Sequence, residues 1–453
     1  MQAIGGRRSW GQLLASGLVV CGLVGVMERV AQAAARTYSI TTNTMALTDS
    51  NVCTLRGAVR AVNTRAAVGK CGAPGGSASS PDIINITGGL KFTFTSKLDI
   101  KESVTIRSTN STKVVFQQVG LPQTSIGGTL VNVVTFDTAR TTKVTFQDIS
   151  MQGAFLGSTL GLYAEGKDPD RVLLTRSLVE QFDFGGVHSK GTSLVIESSG
   201  INENSHSEST GAGIFIEGDN SSTTLQLYNS SVTKNFDRAG GCNGGGIFME
   251  LNGGSFSAIR NSTISDNRGG AGIALFPDVA TPVSSTLEID GSTIAFNKGA
   301  ASEGCDGVGV RSICAETGSG ACVSFDVILD GTIVAANESQ FGDPVDFFGP
   351  VFMVNSIIGS SDGTRFQFLN GNNRVDTLVN LDPVLRDNGL SGQHRGSHKP
   401  LQGSIAIDFI QSIDYGTLPG VNNRDQRGKT RPFDFVSGGN KFDVGAVELQ
   451  SGE

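Results

Sequence analysis

The chain has 453 residues, of which 17% are charged, against roughly a quarter in an average protein. It contains 61 Gly and carries a formal net charge of −7 at pH 7. An acidic chain without a run of Lys or Arg excludes binding to nucleic acid or to an anionic membrane through a basic patch. The low charge and abundant Gly favour many short strands and tight turns over a helical protein.

The N-terminal segment has the three parts of a secretory signal peptide. Arg7 and Arg8 precede an apolar stretch, and Ala31-Gln32-Ala33 supplies the small-x-small pattern of a cleavage site. The stretch is 14 residues long, shorter than the roughly 20 needed to span a bilayer. No later segment is long and apolar enough to span one. Residues 1–33 are therefore predicted to direct export, by the general or the twin-arginine route. The protein is expected outside the cell, on its surface or in the periplasm.

Cysteine usage agrees with export. After residue 33 the number of cysteines is even, which favours disulfides. Cys53 and Cys71 close a short loop and are the favoured pair. Two of Cys305, Cys314 and Cys322 are expected to pair, and Cys242 is a candidate partner for the third. A zinc site is the alternative, but the chain has no CxxC motif and its four His lie far from 305–322, so no metal site is predicted.

The middle of the chain repeats a phrase that ends in Asn. Aliphatic residues lie three and eight positions before each Asn, a small or polar residue six before, and a hydroxyl five before. The intervals between successive Asn are 31, 32, 30 and 40 residues. Between them recurs a Gly followed by an aliphatic residue, as at Gly213-Ile214 and Gly246-Ile247. The repeated Asn are Asn204, Asn235, Asn267, Asn297 and Asn337.

This repeat is typical of a solenoid, because one unit cannot bury its aliphatic residues alone, whereas stacked units form a continuous core. Asn suits a stacked turn position, since it tolerates left-handed backbone and its amide can bond to its neighbours. A flat sandwich is the rival fold, but it would not reproduce one phrase in register. The sequence therefore predicts an all-β protein, a right-handed parallel β-helix over 81–380. Leu55, Val59 and Val62 share one face of a short helix expected to cap its N-terminal end within 34–80.

Both ends resemble known families. The Cys53–Asn63 segment is similar to the CSLREA-type motif of exported bacterial β-helix proteins, with Thr54 and Gly57 as departures from that motif. Residues 381–453 resemble the choice-of-anchor-Q region that accompanies such proteins, in the phrases Asp425-Gln426-Arg427-Gly428 and Asp443-Val444-Gly445-Ala446. The resemblance implies export and a pectin-lyase-like fold with an irregular C-terminal cap. It implies no particular chemistry.

Charged residues flank the repeated Asn and are the candidate site. Stacked coils are expected to bring them onto one edge, with the two carboxylates two coils apart, about 9–10 Å. That separation is at the wide limit for an inverting hydrolase. The alternative is a solvated row of turns. The candidates are Glu203, Asp266, Arg238 and Arg268 for catalysis, and His206 and Lys298 for binding.

Two classes of function stay open. The first is a non-catalytic, adhesin-like scaffold that presents the β-helix to a polysaccharide or to a cell-surface or matrix component. The second is a polysaccharide lyase or glycoside hydrolase acting on an acidic polysaccharide in a groove, so whether the protein is an enzyme is left open. Ice or mineral binding by the repeated hydroxyls is a third reading. No cofactor is predicted, with calcium left open. Trp10 is the only Trp, and Phe residues such as Phe146 and Phe325 are expected to face inward.

Overall fold

The computed structural model describes residues 35–49, 51–76, 80–119, 128–134, 141–154, 159–167, 170–207, 211–218, 223–239, 244–251, 253–277, 284–299, 309–313, 315–316, 322–323, 325–339, 341–387, 396–411, 424–431 and 441–450. The chain divides into two units, Met1–Ala33 and Ala34–Glu453. The first lies outside the described residues, so the predicted signal peptide stays a prediction. Within the described residues, no helix combines the length and the apolar character that a membrane span needs.

The described part of Ala34–Glu453 is a right-handed parallel β-helix, as predicted. Each complete coil contributes one strand to each of three sheets, which the chain visits in the order C, A, B. Every pairing along these sheets is parallel, as between Ile196 and Leu227 and between Leu227 and Ile259. These three side chains are fully buried. Burying one such aliphatic side chain contributes about 1.5–3 kcal/mol, so the stacked interior is the main source of stability.

The strands of the three sheets are as follows. Sheet A contains Thr37–Ile40, Asp82–Ile86, Val104–Ser108, Lys143–Gln147, Arg171–Thr175, Ser193–Glu197, Leu225–Tyr228, Phe256–Arg260, Thr286–Asp290, Asp326–Asp330 and Thr364–Asn370. Sheet B contains Lys91–Phe94, Val114–Gln118, Ile149–Gln152, Leu178–Glu180, Gly200–Asn202, Ser231–Thr233, Thr263–Ser265, Thr293–Ala295, Ile333–Ala335, Ile357–Ile358 and Arg374–Val375. Sheet C contains Leu98–Ile100, Gly128–Val134, Thr159–Glu165, Val187–Lys190, Ile214–Glu217, Gly244–Leu251, Ala271–Pro277 and Val310–Ser312.

The remaining strands are short or shared. Phe347–Val354 begins in sheet C and ends in sheet A. Ser205–His206 pairs in parallel with Phe236–Asp237. Three antiparallel pairs lie outside the coils: Ala315–Glu316 with Cys322–Val323, Arg386–Asp387 with Gly396–Ser397, and Ile410–Gln411 with Lys441–Phe442.

The repeated Asn residues form a buried ladder. The amide of Asn235 donates to Asn267 Oδ1 at 2.9 Å, and Asn267 donates to Asn297 Oδ1 at 2.9 Å. Each Nδ2 also reaches a carbonyl of the preceding coil, as Asn267 reaches Val232 O at 3.0 Å. The predicted bonding between neighbours is therefore observed. The left-handed backbone, however, lies one residue earlier, for example at Asp266 with φ 55°, because the Asn itself turns inward.

The Gly of the second repeated phrase complements this ladder. A Cβ at Gly246 would lie 2.8 Å from Asn267 Nδ2 and 2.5 Å from Gly272 O, and one at Gly272 would lie 2.6 Å from Asn297 Nδ2. Contacts this short are not sustained by real Cβ atoms. The amide ladder thus occupies the volume that a side chain would need, and the two repeated phrases are two halves of one packing arrangement.

The repeated hydroxyls are also internal. Ser199, Ser230, Ser262 and Ser292 are at most 1% exposed. Ser230 Oγ accepts from Ser199 N at 3.0 Å and donates to Tyr228 O at 2.6 Å. The reading in which these hydroxyls form an ice- or mineral-binding surface was wrong, because their hydrogen bonds link one coil to the next inside the solenoid.

A helix and a disulfide close the N-terminal end. The helix, Leu55–Thr64, buries Leu55, Val59 and Val62, as predicted. Its Asn63 donates to Asp99 O at 2.8 Å and accepts from Lys101 N at 2.9 Å, which caps the first strand of sheet C. A disulfide joins Cys53 and Cys71, the pair favoured from the sequence. The pairing predicted among Cys242, Cys305, Cys314 and Cys322 falls on residues or side chains outside the described ones.

The C-terminal region folds back over the outer face of sheet B. Gln426 donates from Nε2 to Ser230 O at 2.8 Å and accepts from Thr263 Oγ1 at 2.5 Å. Ala446 N donates to Thr293 Oγ1 at 3.0 Å. The apolar residues Ala406, Ile410, Phe442 and Val444 form one buried cluster with Ala295, Ile333 and Ala335 of sheet B. Sheet B is therefore unavailable to a ligand over these coils.

Candidate functional site

The predicted site residues lie in separate rows. Backbone register places Glu203, Lys234 and Asp266 on successive coils, each one residue after sheet B. Because one coil adds about 4.8 Å, the two carboxylates stand two coils apart with an ammonium group between them. Arg268 and Lys298 pair in a second row, beyond the buried Asn ladder. The carboxylates and these cations therefore do not face one another across a common groove.

Glu203 lines a small cleft where the C-terminal region stops covering sheet B. Its carboxylate lies 4.0 Å from Lys234 Nζ and accepts from Gln181 Nε2 at 3.3 Å. The volume of the cleft is about 130 Å³, below the 300 Å³ at which ordinary ligand pockets begin. The cleft is lined by Glu180, Asn202, Glu203, Thr233, Lys234, Leu385 and Gly396.

The other candidates have structural neighbours or face solvent. Asp266 Oδ2 lies 3.5 Å from Nε2 of the fully buried His398, which also contacts Ser265 Oγ at 3.0 Å. His206 is 4% exposed, and burial lowers its pKa to about 4. A ligand on the surface cannot reach that imidazole. Arg238 is exposed and directly follows Phe236–Asp237, the strand that pairs with Ser205–His206.

The outer face of sheet C carries a column of rings that the sequence reasoning missed. Tyr163, His188, Phe215 and Phe248 occupy equivalent positions on four successive coils. Ring centroids are 5.1 Å apart for Tyr163 and His188, 4.4 Å for His188 and Phe215, and 5.2 Å for Phe215 and Phe248. We call these four residues the aromatic column. Tyr163 and His188 are half-buried, whereas the two Phe are 9% and 5% exposed.

A charged column runs beside the rings, two residues further along each strand. It consists of Glu165, Lys190, Glu217 and Glu250, in register on the same four coils. Glu217 is its centre, because Oε1 accepts from Lys190 Nζ at 2.5 Å and Oε2 lies 3.1 Å from His188 Nε2. The hydrogen bond with His188, reinforced by Lys190, lowers the pKa of Glu217 to about 2. Glu217 is therefore a fixed carboxylate that joins the two columns.

The connections beside sheet C are a reason to consider its outer face as a site. The turn from sheet A to sheet B is short, as at 198–199, whereas connections from sheet C to sheet A vary, from two residues at 191–192 to longer ones at 218–224 and 278–285. Long connections beside a rigid scaffold are where binding residues concentrate. His188 and Lys190 lie in the strand Val187–Lys190, because Gly186-Val187 is one copy of the repeated phrase.

A signal for the aromatic column was present in that phrase. The residue after each Gly-aliphatic pair faces outward: His188 follows Val187, Phe215 follows Ile214 and Phe248 follows Ile247. The expectation that Phe faces inward is met at Phe146 and Phe325, which are fully buried, but not at these outward positions. Among the described residues, no group of three or more His, Cys, Asp or Glu is arranged to hold a metal ion.

Carboxyl groups with a raised pKa lie elsewhere. Burial raises the pKa of Asp237, Asp290, Asp346 and Asp443 to about 6. Each of these residues is at most 4% exposed. A general acid needs both a raised pKa and contact with the substrate, so none of the four can serve a polymer on the surface.

Comparison with known proteins gives distant similarity. No family model and no curated protein sequence matches the chain. Among solved structures, pectate lyase Pel9A has 13% identity and a TM-score of 0.47, covering 93% of this chain and 98% of that one. A Geobacillus virus E2 protein has 10% identity and a TM-score of 0.30, covering 69% and 59%. Tailspike protein 3 of bacteriophage CBA120 has 9% identity and a TM-score of 0.23, covering 65% and 56%.

Proposed function

We propose that the protein is an exported, non-catalytic binding scaffold that holds a polysaccharide on the outer face of sheet C. The observation that carries this proposal is the aromatic column beside a charged column on four stacked coils. Within the aromatic column, the half-buried rings of Tyr163 and His188 are the ones that a sugar can contact, and the charged groups offer hydrogen bonds to its hydroxyls. The disulfide between Cys53 and Cys71 supports export, since such bonds persist in oxidising compartments.

The state of Glu217 favours binding over hydrolysis. Hydrolases need one protonated carboxyl group and a second carboxylate across the glycosidic bond. Glu217 is held ionised by His188 and Lys190, with its pKa lowered to about 2. It can therefore accept hydrogen bonds from a ligand, but it has no proton to donate at the pH of an exported protein.

A polysaccharide lyase is the second candidate. Elimination needs a base beside the sugar and a cation to neutralise the uronate. Tyr163 and His188 are ring neighbours at 5.1 Å, and Lys190 lies two residues beyond His188. This grouping of a phenol, an imidazole and an ammonium group is the observation that favours a lyase.

The test measures binding and cleavage together. Purified protein is titrated with neutral and charged polysaccharides, with and without calcium, and reducing ends and the absorbance of unsaturated uronates are followed. We expect at least one polymer to bind without cleavage and Tyr163→Ala to weaken that binding about tenfold, or ~1.4 kcal/mol. Glu197→Gln, an exposed residue of sheet A, is the matched control and should bind as the wild type.

Each contrary result has a distinct meaning. New reducing ends with absorbance identify a lyase, and reducing ends without absorbance identify a hydrolase; both overturn the scaffold. Binding that Tyr163→Ala leaves unchanged places the ligand away from sheet C. The absence of binding across all polymers refutes the proposal.

A further inference from the structure

The two ends of the solenoid carry opposite charge. Residues 34–107, which we call the head, contain nine basic and four acidic residues, a net charge of +5. Residues 326–376, which we call the tail, contain seven acidic residues and two Arg, a net charge of −5. Every charged residue of both ranges belongs to the described part of the chain. The coils between them, 108–325, carry −8 over about four times the length of the tail, so the tail has the higher density of negative charge.

The surface charge of the head is basic. Its four acidic residues are buried or half-buried, and two of them are paired, Glu102 with Arg65 at 2.6 Å and Asp99 with Lys97 at 3.2 Å. These two pairs leave a positive excess on the other basic side chains. The exposed ones outside the pairs are Arg36, Arg60, Lys70, Lys91 and Lys101.

The surface charge of the tail is acidic. Two of its nine charged side chains, Asp330 and Asp346, are half-buried or buried, and the other seven are exposed. Two of these seven are Arg365 and Arg374. The five exposed carboxylates are Asp326, Glu338, Asp343, Asp362 and Asp376. A surface of this kind attracts a basic one and repels a second acidic one.

Both ends leave one side of sheet A without a partner strand. Among the described strands, Thr37–Ile40 pairs only with Asp82–Ile86, and Thr364–Asn370 pairs only with Phe347–Val354. The helix closes the edge of sheet C at the head, so the open backbone there belongs to sheet A. An open edge is a template for a strand of another chain.

The backbone of Ser39 points toward this open side at the head. Ile83 N donates to Arg36 O, and Thr87 N donates to Ile40 O. Bonding to a neighbouring strand alternates along a parallel strand, so the N–H of Ser39 lies on the side away from that neighbour. Ser39 is also exposed.

The last inward side chain of the tail is incompletely covered. Phe366 lies opposite Val351 of the preceding coil and packs against the main core. Val351 is fully buried, as is Phe325 further inside, whereas Phe366 is only partly buried. One more coil with an inward apolar residue would complete its burial. The first strand of the head offers such a residue in Tyr38.

We infer that the protein associates with further copies of itself, the tail of one copy stacking on the head of the next. All strands of sheet A are parallel, so Thr37–Ile40 of the next copy can extend the sheet beyond Thr364–Asn370 in the same direction. Two heads or two tails would meet at like charge and would need antiparallel pairing. The contact joins two different surfaces, so it leads to an open fibre rather than a closed dimer.

The size of the contact is compatible with a stable interface. Successive repeats are 31, 32 and 30 residues apart in the central coils, so one coil has about as many residues as one side of a standard protein–protein interface, ~20–30. The association does not depend on a ligand of sheet C, and its failure would leave the proposed function untouched.

Two variants disable one end each. Ser39→Pro removes the N–H on the open side of the head, at an edge position where Pro is tolerated. Ser39→Ala keeps that N–H and is its matched control. Asp343→Lys combined with Asp362→Lys changes the net charge of the tail from −5 to −1 and leaves the head intact. Sedimentation velocity over a range of protein concentrations measures the association.

The wild type should form larger species as its concentration rises at low salt, and high salt should reverse this. Ser39→Ala should behave in the same way. We expect Ser39→Pro and the double Asp variant to associate at least tenfold more weakly. An equimolar mixture of these two should form a 1:1 complex that grows no further, because it contains one intact tail and one intact head.

The contrary results are equally specific. A wild type that stays monomeric at low salt overturns the inference. Association of Ser39→Pro at the strength of the wild type excludes the head, and two variants that remain monomeric when mixed exclude a head-to-tail contact. Circular dichroism checks that Ser39→Pro is folded. If it is not, the double Asp variant decides, since association as strong as in the wild type would refute the role of the tail.

Discussion

The Asn ladder ends on a carboxylate. Asn337 donates from both its backbone N and its Nδ2 to Asp346 Oδ1, each at 2.8 Å. Asn residues inside the ladder must donate and accept at once, whereas the last position only has to accept, and a carboxylate has acceptors alone. Burial raises the pKa of Asp346 to about 6. Ending the ladder with this side chain therefore disfavours its charged form.

The Gly beside the ladder is expected to be intolerant of any side chain. Gly246→Ala would place a Cβ 2.5 Å from Gly272 O and 2.8 Å from Asn267 Nδ2. Both neighbours are buried and hydrogen-bonded, so neither can move without breaking the ladder. We expect a loss of about 2–4 kcal/mol in the free energy of unfolding, measured by denaturant titration.

Gly342→Ala is the control for that substitution. Gly342 also lacks a side chain but has a φ of 88° and nothing within 4 Å of an added Cβ. The Gly342→Ala variant should lose only about 1 kcal/mol in the free energy of unfolding, because its side chain disfavours the left-handed backbone. An equal loss in the two variants would show that the ladder does not restrict Gly246.

Asp237 is a buried carboxylate with few partners. It is 1% exposed, and its Oδ1 accepts from Ala239 N at 3.0 Å. Within the described part of the chain, Oδ2 has no hydrogen-bond partner. Burial therefore raises the pKa of Asp237 to about 6. A raised carboxyl pKa means that the native state favours the protonated form, so its stability falls as pH rises from 3.8 through 6.

Asp237→Asn should remove that penalty. The free energy of unfolding of the variant relative to the wild type is expected to rise by about 3 kcal/mol between pH 4 and pH 8, since the pKa differs by about two units. Chemical unfolding at the two pH values measures this change. A difference between variant and wild type that does not depend on pH would mean that Asp237 ionises in contact with water.

At the scale of elements, the N-terminal helix protects a strand edge. The first strand of sheet C, Leu98–Ile100, has a parallel partner on one side only. On the other side, Asn63 of the helix bonds to Asp99 O and Lys101 N, and Arg56 donates to Lys97 O at 3.0 Å. An open edge invites pairing with another chain, so the helix both completes the core and prevents association.

The disulfide is expected to hold this helix in place. Replacing Cys53 and Cys71 by Ser opens a loop with a sequence separation of 18 and should cost about 3 kcal/mol. Hydrogen exchange should show faster exchange in Leu55–Thr64 and in Leu98–Ile100, with the later coils unchanged. The wild type under reducing conditions should behave as the double variant does. Uniform loss of protection would mean that the cap and the coils unfold as one unit.

The repeated phrases made the β-helix predictable because they report constraints inside the coil. An Asn in the ladder, the Gly beside it and the hydroxyl five residues earlier each have one compatible environment, so they recur. The aromatic column was harder to predict, because its positions face outward and vary from Tyr163 to His188 and Phe215, and the coil after Phe248 has Ala274 at this position. Only the register of the strands shows that they form one surface.

The rows of candidate charged residues show a second limit on what can be predicted from the sequence. The register of Glu203 and Asp266 could be deduced by counting from the Asn. The contact of Asp266 with His398, at 3.5 Å, depends on how the C-terminal region packs on sheet B, more than a hundred residues later in the chain. Such long-range packing leaves no local periodicity to read.

At the scale of the molecule, the C-terminal region decides which face remains available. It covers sheet B through Gln426 and Ala446 and is held together by buried charges. Arg431, for example, is 1% exposed and donates to Gly445 O at 2.6 Å. The outer face of sheet C is the face on which we propose that a ligand binds. The residues that resemble the choice-of-anchor-Q region thus act here as a structural clamp on the solenoid.

The buried ionisable groups together predict how the stability of the whole protein depends on pH. Four carboxyl groups have a pKa raised by burial to about 6: Asp237, Asp290, Asp346 and Asp443. Each contributes stability that is present below pH 4 and lost as pH rises through 6. His206, with its pKa lowered to about 4, acts in the opposite sense, since its stability is lost as pH falls from 6.5 through 4. Glu217, with a pKa of about 2, loses its contribution below 4.5.

Because the four carboxyl groups outweigh His206 and Glu217 above about pH 4, whereas the loss from Glu217 dominates below about pH 3, the native state should be most stable near pH 3–4. Thermal unfolding midpoints between pH 3 and pH 8, at constant ionic strength, measure this directly. We expect a maximum in that window and a decline through pH 6 that levels off above about pH 7, with a smaller decline in Asp237→Asn. A midpoint that rises from pH 4 to pH 8 would show that the buried carboxylates are stabilised in their charged form. Asp237 argues against that outcome, because within the described residues its Oδ2 has no hydrogen-bond partner.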